Sequence, residues 1–567
     1  MKKLILFFAV LLIVFGTGLL KSQTAEEFFE SGNTKNDADD FKGAISDYNS
    51  AVDLKPDFID AYYNRGLAKD NLRHFHGSIA DYNMVIELNP DYAEAYNSRG
   101  VAKGNLQDFQ GALKDYNKAI QLKSDYAEAY NNRGVLKDYF SDFEGAILDY
   151  SKAIELKDNY PEAYNNRAVA KINSEDYKGA ISDCTRALEL KPDFAEAYNN
   201  RALAKNYLQN PKDALDDYNK AIELKPDYAE AYNNRGLTRD DLMDLEGAIA
   251  DFSKALELKP DYPEAYNNRG LSRDELKDYT YAGMDYNKAI ELNRKYAEAY
   301  NNRGLNKVNV EDYYGAISDF SKAIDLKKYY AEAYSNRGLT RQYIQDYSGS
   351  VSDCKKAIEL KPDYAEAYNN IGLAKYYLKD YDGAIVDYNK AIQLNPAYAF
   401  AYLNLGNAEF SSKNYSEAIL NYNKALEINP DLTEAYYNRG AVYFISANYD
   451  EAISDFSKTV VLKPDNETAY DYLGDCYYER KNFDSALTNY GRCLSINSNN
   501  WDALLGTSMV YLEINDNSNL NEYFNRAEVL EPRLKEGMTG IGKLEKEGYY
   551  YSESDKQTLG KLFKAVK

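Results

Sequence analysis

The sequence predicts an all-α fold, a solenoid of antiparallel helical hairpins, and three observations support this prediction. A motif close to AEAYNNRG recurs every 34 residues, beginning for example at Ala127, Ala229 and Ala297. Each 34-residue row contains two runs in which apolar and small residues recur at helical spacing, separated by a short polar turn. Proline and aspartate close most rows, as at Pro226 and Pro260. One hairpin cannot bury its apolar face alone, so successive hairpins are expected to stack.

The first run of each row, of the form EAYNNRGLAK, predicts the first helix of the hairpin. An aromatic residue such as Tyr62 is followed four residues later by glycine or alanine, as at Gly66. Small residues allow close approach of helices, and the aromatic rings fill the space beside them. Repetition of these packing positions accounts for the 57 tyrosines. Before the first run, Asp91 and Glu94 have the spacing of a capping box, which predicts the helix start.

The second run, of the form GAIxDYxKAIEL, predicts the second helix. It follows a turn such as Asp108–Phe109, which we interpret as the turn and the helix start. An aromatic column represented by Tyr116 lies between two alanine columns represented by Ala112 and Ala119. The two runs together predict one antiparallel hairpin in each row.

This pattern resembles the tetratricopeptide repeat family. The aromatic, glycine, alanine, aromatic, alanine and proline positions all have the spacing of that family in 15 consecutive rows, over residues 25–534. The resemblance implies a right-handed α-solenoid superhelix, with the first helices on its concave surface and protein or peptide partners. The rows depart from the family where arginine, as at Arg65, replaces a large apolar residue and where Lys69 replaces a later tyrosine.

Residues 1–22 differ from the rows. The start Met-Lys-Lys precedes an apolar run from Leu4 to Leu20, which would be roughly 25 Å long as a helix. This predicts either a cleaved signal peptide or an N-terminal membrane anchor, and both alternatives stay open. Either way we expect an extracytoplasmic location (periplasmic, secreted or anchored), with membrane contact only through residues 4–20 if that segment is uncleaved.

The final segment, residues 535–567, is predicted to be a degenerate C-terminal helical cap. Leu559, Leu562, Phe563 and Val566 form one apolar stripe of a short basic helix. A helix that docks on a partner is the alternative.

Composition favours neither nucleic-acid binding nor catalysis. The chain has 68 basic and 90 acidic residues, a net charge of −22, which is unfavourable for contact with nucleic acid. The two histidines, His74 and His76, lie in one turn. The four cysteines occupy core positions of their rows, which predicts buried thiols: Cys184, Cys354, Cys476 and Cys493. We therefore predict that the protein is not an enzyme, with no catalytic residue, no metal site and no cofactor.

One column of the first helix is occupied by asparagine, although this residue is unfavourable in a helix interior. A carboxamide can donate to a peptide carbonyl and accept from a peptide N–H. The column resembles the asparagine ladder in the repeat domain of O-linked N-acetylglucosamine transferase, and this resemblance implies binding of an extended peptide. Copying of a neutral residue by duplication is the alternative. The predicted ladder is Asn64, Asn132, Asn166, Asn200, Asn234, Asn268, Asn302, Asn336, Asn370, Asn404 and Asn438.

A second column on the same stripe changes from aspartate, as at Asp70, to apolar residues near the C-terminus. This predicts a more apolar groove there, and a binding pocket and ordinary packing between rows are the two interpretations. The residues assigned to the groove are Tyr376, Phe410, Phe444 and Tyr478.

The arginine before the glycine varies together with an aspartate 16 residues later. Where Leu405 and Leu473 replace arginine, Asn421 and Asn489 replace the aspartate. Two rows are exceptions, since Ser31 and Ile371 replace the arginine while Asp47 and Asp387 remain. This covariation among rows predicts a structural ion pair inside each hairpin. The predicted pairs are Arg65–Asp81, Arg99–Asp115, Arg133–Asp149, Arg167–Asp183, Arg201–Asp217, Arg235–Asp251, Arg269–Asp285, Arg303–Asp319, Arg337–Asp353 and Arg439–Asp455.

These observations predict a non-enzymatic interaction scaffold outside the cytoplasm that binds an extended polypeptide or organises an assembly. The alternative is a membrane-anchored structural factor in envelope assembly or secretion, without a peptide ligand. The expected partner is a protein or peptide whose identity the sequence does not specify.

Overall fold

The computed structural model describes residues 23–566, and all regular secondary structure in this range is helical. The predicted signal peptide or anchor lies outside the described residues. Contacts divide the chain into two compact units between Leu276 and Lys277. In each unit the helices alternate between first helices, which have odd numbers below, and second helices, which have even numbers.

The first unit contains seven hairpins and the first helix of the eighth row. Its helices are α1 Ala25–Asp37, α2 Phe41–Leu54, α3 Ile59–Asn71, α4 Phe75–Leu88, α5 Ala93–Asn105, α6 Phe109–Leu122, α7 Ala127–Tyr139, α8 Phe143–Leu156, α9 Pro161–Asn173, α10 Tyr177–Leu190, α11 Ala195–Tyr207, α12 Pro211–Leu224, α13 Ala229–Asp241, α14 Leu245–Leu258 and α15 Pro263–Glu275.

The second unit contains the second helix of the eighth row, seven further hairpins and a terminal segment. Its helices are α16 Tyr279–Leu292, α17 Ala297–Asn309, α18 Tyr313–Leu326, α19 Ala331–Tyr343, α20 Tyr347–Leu360, α21 Ala365–Tyr377, α22 Tyr381–Leu394, α23 Ala399–Ser411, α24 Tyr415–Ile428, α25 Thr433–Ile445, α26 Tyr449–Leu462, α27 Glu467–Glu479, α28 Phe483–Ile496, α29 Trp501–Glu513, α30 Asn517–Leu530, a 3₁₀ helix Pro532–Glu536, α31 Met538–Lys546 and α32 Glu553–Ala565.

The turn inside each hairpin is short because one residue ends the first helix and the next residue caps the second. Met243 has φ of 62°, and Asp244 donates its backbone N–H to the carbonyl of Arg239 at 2.9 Å, a Schellman arrangement. The Asp244 carboxylate then accepts from the backbone N–H of Gly247 at 3.1 Å. The same left-handed conformation recurs at fifteen non-glycine residues from Asp39 to Asn515.

The capping box expected at Asp91 is wrong. The N-cap of α5 is Tyr92, and its side chain makes no capping hydrogen bond. Asp91 lies one residue too early, in the turn that ends the preceding row, where its own N–H is held by Asn89. In this row the side-chain cap lies instead at the second helix, where Asp108 accepts a hydrogen bond from the backbone N–H of Gly111.

Most hairpins close on an aromatic ring, and two close on a cysteine, Cys184 or Cys354. A Cβ added at Gly236 would lie 2.7 Å from the ring of Phe252, so the absence of a side chain lets the ring pack directly on the backbone of α13. Neighbouring first helices within a unit also contact one another, as α9 does with α11 and α19 with α21. We call the surface formed by the first helices of a unit its inner face.

The terminal segment packs on the last hairpin. Leu559, Leu562 and Phe563 of α32 are buried in one core with Leu504 and Phe524, and α32 contacts α29. This apolar stripe of α32 is therefore covered by the chain itself.

All four cysteines are buried and free, as predicted. Burial raises the pKa of the Cys184 thiol to about 12, which keeps it protonated and unreactive at neutral pH. Within residues 23–566, no helix combines the length and the apolar character needed to cross a bilayer.

Candidate functional site

The arginines of the first helices form bidentate ion pairs inside their hairpins, as predicted. Arg235 donates from Nε to Asp251 Oδ2 at 2.8 Å and from Nη2 to Oδ1 at 2.6 Å. Arg239, one turn later, donates to the same carboxylate at 2.8 Å. The Asp251 side chain is 5% exposed, so both cations compensate a buried charge. The prediction is confirmed for Arg65–Asp81, Arg99–Asp115, Arg133–Asp149, Arg167–Asp183, Arg201–Asp217, Arg235–Asp251, Arg303–Asp319, Arg337–Asp353 and Arg439–Asp455.

The same arginine also joins neighbouring hairpins. Arg235 Nη1 donates to Asn219 Oδ1 of the preceding second helix at 2.7 Å, and its guanidinium lies 5.5 Å from the ring centroid of Tyr232. Where leucine replaces arginine, Asn421 instead donates to the carbonyl of Glu417 in its own helix. These arginines are held by structural contacts on several sides.

The asparagine ladder is a chain of hydrogen bonds between successive first helices. Asn200 donates to Asn165 of the preceding row at 3.0 Å and accepts from its own neighbour Asn199 at 3.3 Å. Asn199 in turn accepts from Asn234 of the following row at 3.1 Å. Thus one asparagine of each adjacent pair contacts the preceding row and the other contacts the following row.

This arrangement recurs along the inner face of each unit. The amide nitrogen of the predicted ladder residue lies 3.0–3.1 Å from its acceptor in Asn132–Asn97, Asn166–Asn131, Asn200–Asn165, Asn234–Asn199, Asn268–Asn233, Asn336–Asn301 and Asn404–Asn369. Asn370 donates to Ser335, Asn64 to Asn33 and Asn438 to Asn407. The row pattern of the sequence does not predict these hydrogen bonds between rows. Whether the same amides bind a peptide stays a prediction.

An apolar column that sequence reasoning missed accompanies the ladder. Leu237 follows Asn234 by three residues, so the two share one side of α13. Leu237 is 40% exposed and Leu271, one row later, is 39% exposed. The exposed members of this column are Leu67, Val101, Val135, Leu237, Leu271 and Leu305. An apolar residue repeated every 34 positions could have been detected in the sequence, but its exposure could not.

The four residues of the predicted apolar groove have different surroundings. Phe444 and Tyr478 are buried, and the hydroxyl of Tyr478 is 2.9 Å from Thr558 of α32. Tyr376 and Phe410 are half-buried and line a cavity of about 220 Å³. Only the latter two residues therefore face open space.

A larger cavity, of about 520 Å³, lies between α27, α29 and the loop that joins α31 to α32. We call it the acidic pocket. Its wall combines carboxylates with aromatic rings, and its lining includes Glu467, Asp471, Tyr472, Asp475, Trp501, Asp502, Glu547, Tyr549 and Tyr550. It was not predicted, although Asp471 and Asp475 stand in columns that hold asparagine and apolar residues in earlier rows.

Asp471 is buried and Asp475 and Asp502 are half-buried, and loss of solvent together with neighbouring charges raises the pKa values of these carboxylates. Burial, followed by the charge of Asp475, raises the pKa of Asp471 well above its usual range. Burial and the neighbouring charge of Asp555 raise the pKa of Asp502 to about 7. In the described part of the chain, no group of histidine, cysteine and acidic side chains has an arrangement that could hold a metal ion.

Family models described as TPR repeat and as Tetratricopeptide repeat match more than half of the chain. The first matches residues 32–70, 105–137, 141–174, 244–273 and 406–446. The others match residues 161–194, 195–228, 365–398, 433–466, 59–92, 263–296, 331–364 and 468–500. No curated protein sequence matches this chain.

Several solved structures are similar to the chain. A chain of the APC/C hetero-tetramer Cut9-Hcn1 is 14% identical with a TM-score of 0.47, and the match covers 81% of this chain and 97% of that chain. Yeast Tom70 is 19% identical with a TM-score of 0.33, and the match covers 75% and 96%. MamA protein is 25% identical with a TM-score of 0.27, and the match covers 30% and 94%.

Proposed function

Because this chain belongs to the tetratricopeptide repeat family, we propose that it is a non-enzymatic scaffold that binds an extended polypeptide along its inner face, outside the cytoplasm. The observation that carries the proposal is the exposed apolar column on the first helices. Repeated apolar side chains that a solvated scaffold leaves exposed are typical of interaction surfaces.

The exposed apolar column supplies one contact in each of six rows. Leu237 and Leu271 hold the same position in successive first helices, and each leaves more than a third of its surface exposed. Contacts repeated at this spacing suit a chain that runs along the inner face, since each of these rows can then receive one of its side chains. Burying such a leucine against a partner contributes about 1–2 kcal/mol at most.

The asparagine amides supply the polar contacts. Asn234 uses one of its two amide hydrogens in the bond to Asn199, so the second hydrogen can donate to a peptide carbonyl. The bond between rows also fixes the orientation of the carboxamide. An amide that is already oriented loses less side-chain entropy when it binds a ligand.

Peptides selected from a random display library against the full chain provide the test. We expect the double variant Leu237→Ser and Leu271→Ser to weaken binding of a selected peptide at least tenfold, because both inner-face contacts are lost. These side chains are exposed, so the variant retains its fold, and its circular dichroism should not change.

The matched control is Leu148→Ser. Leu148 lies on the second helix α8 and is 71% exposed, so it has the same chemistry on a different surface. Equal loss of binding in the control, or unchanged binding in the double variant, would contradict the proposal.

A membrane-anchored structural factor without a peptide ligand is the second candidate, favoured by the apolar run Leu4–Leu20 behind two lysines. Mass spectrometry of the protein recovered from its own membrane fraction separates the two. An intact N-terminus that includes this run supports the anchor, and a cleaved one supports the soluble scaffold.

A further inference from the structure

We propose that the acidic pocket binds an organic cation, an ammonium or guanidinium group carried on an aliphatic stem. The pocket is separate from the exposed apolar column, and the inference does not depend on peptide binding by the inner face. Its volume of about 520 Å³ lies within the range of small-ligand sites.

The first observation is a buried carboxylate oxygen without a hydrogen-bond partner. Asp471 is 8% exposed and lines the pocket, and its Oδ1 makes no hydrogen bond to the described residues. A buried polar atom of this kind costs free energy unless a partner reaches it. Because Asp471 lines the pocket, we infer that a donor bound there supplies the partner that this carboxylate lacks.

The second observation is the lack of basic residues at the pocket carboxylates. In residues 23–566, no lysine or arginine pairs with Asp471, Asp475 or Asp502. Asp475 accepts a hydrogen bond from Tyr490 at 2.7 Å. Glu547, at the rim, is paired with Arg533 at 2.6 Å. The interior carboxylates thus leave several acceptor positions for a positively charged ligand.

The third observation is the aromatic wall. Trp501 and Tyr549 have ring centroids 5.0 Å apart, and Tyr472 stacks on Phe456 at 5.0 Å with an interplanar angle of 5°. Faces of tryptophan and tyrosine attract cations and also pack against methylene groups. Carboxylates together with aromatic faces are suited to an alkylammonium or an alkylguanidinium group.

The raised pKa values agree with this chemistry. Burial and the charges of neighbouring carboxylates raise the pKa of Asp471, Asp475 and Asp502, in each case with burial as the larger cause. A cation that enters favours the ionised carboxylates and lowers these pKa values. Binding is therefore expected to release protons.

Trp501 makes the test direct, because it is the only tryptophan in the chain and lies in the pocket wall. The full chain is titrated with two probes, spermidine and an end-blocked tetralysine peptide, and tryptophan fluorescence is recorded. We expect saturable binding of at least one probe. The tighter one identifies the source of the cation, a free amine or a basic polypeptide.

The variants Asp471→Asn and Asp502→Asn should each weaken binding of the tighter probe at least tenfold. The fold should be preserved, since asparagine has the same shape as aspartate. The control Asp465→Asn removes one exposed charge outside the pocket and should leave binding unchanged. This control matters because a chain with a net charge of −22 attracts cations everywhere.

Three outcomes would overturn the proposal. The first is that Asp465→Asn weakens binding of the probe as much as the pocket variants do. The second is that binding is unchanged in both pocket variants, and the third is that Ca²⁺ saturates the fluorescence change while neither organic cation binds. If one pocket variant unfolds on thermal analysis, the other variant and the two probes still decide the question.

Discussion

The repeated hairpins and the C-terminal region from α27 to α32 differ in whether cations accompany their carboxylates. In the repeats, a carboxylate such as Asp251 is held by two cations from one first helix, Arg235 and Arg239. In the terminal region the arginine position holds Leu473 and Thr507. Carboxylates nevertheless accumulate there, at Asp471, Asp475, Asp502 and Asp555, and their pKa values are raised.

This difference separates a structural use of charge from a functional one. A carboxylate that contacts two cations of its own hairpin is neutralised within the fold. It stabilises the fold as long as both cations are present. A cluster of carboxylates without cations destabilises the fold at neutral pH. Such a cluster is retained where it has a function that offsets the lost stability. The terminal region is therefore where we expect stability to depend on a bound cation, whereas the ion pairs of the repeats need no added cation.

The largest expected effect comes from breaking one repeat ion pair. Arg235→Leu should cost about 2–3 kcal/mol of local stability, because Asp251 stays buried and keeps only its contact with Arg239. The double variant Arg235→Leu with Asp251→Asn should cost less than either single change, as it reproduces the natural pair Leu405–Asn421. Hydrogen exchange of α13 and α14 measures these local free energies. Additive losses would show that the two side chains do not interact.

The second effect is pH-dependent and belongs to the terminal region. The folded pKa values of Asp502 and Asp555, about 7 and about 6, exceed the usual 3.8. The folded state therefore binds more protons, and its stability should fall by about 1–3 kcal/mol as pH rises from about 4 to about 7. Thermal unfolding monitored by Trp501 fluorescence checks this at the two ends of that window.

Acidic groups surround these carboxylates on all the elements that pack against them. They are Glu467, Asp471, Asp475 and Glu479 on α27, Asp502 on α29 and Asp555 on α32, with Tyr490 and Tyr551 as phenolic neighbours. Asp502→Asn should flatten the pH dependence, whereas Asp465→Asn should preserve it. An equally steep profile in Asp502→Asn would assign the effect to the net charge of the chain.

The smallest effect is expected from the ladder. Asn200→Ala removes hydrogen bonds to Asn165 and Asn199, each of which contributes about 1 kcal/mol. Alanine recovers about 0.6 kcal/mol through its better helix propensity, so a net loss of about 1–1.5 kcal/mol should appear in hydrogen exchange of α11.

The matched control for the ladder is Asn389→Ala. Asn389 is exposed in the interior of α22 and donates only to the carbonyl of Ile385 in its own helix, so its replacement should stabilise that helix. Stabilisation at both positions would mean that the bonds between rows contribute nothing.

The sequence predicted the hairpins well because each row repeats the same packing chemistry. The helix start at Phe109 after Asp108 was confirmed, because a polar turn and a helical stripe determine it locally. The ion pairs were predictable because rows such as that of Leu405 lose both partners, although the rows of Ser31 and Ile371 keep the aspartate. The predicted cap at Asp91 was wrong because a shift of one residue in the helix start changes which side chain can reach the free N–H groups. The row pattern does not fix the helix start to within one residue.

The site was less predictable than the fold. The exposure of Leu237 depends on how far neighbouring first helices cover it, and the bond from Asn234 to Asn199 depends on the distance between rows. The acidic pocket brings together Asp471 and Asp502 with Tyr549, which are far apart in the sequence. Such juxtapositions arise from stacking and not from the row pattern.

The left-handed residue of the hairpin turn has a consequence for sequence drift. In different rows this residue is Asp39, Arg73, Ser141, Met243 or Ala447, with φ between 56° and 62°. Its side chain neither caps a helix nor enters a core. An L-residue in this conformation costs about 1 kcal/mol, and that cost is nearly independent of which ordinary side chain is present. Duplication of a row therefore preserves the backbone conformation at this position, while the side chain can change. The only property of the residue that the turn disfavours is its L configuration.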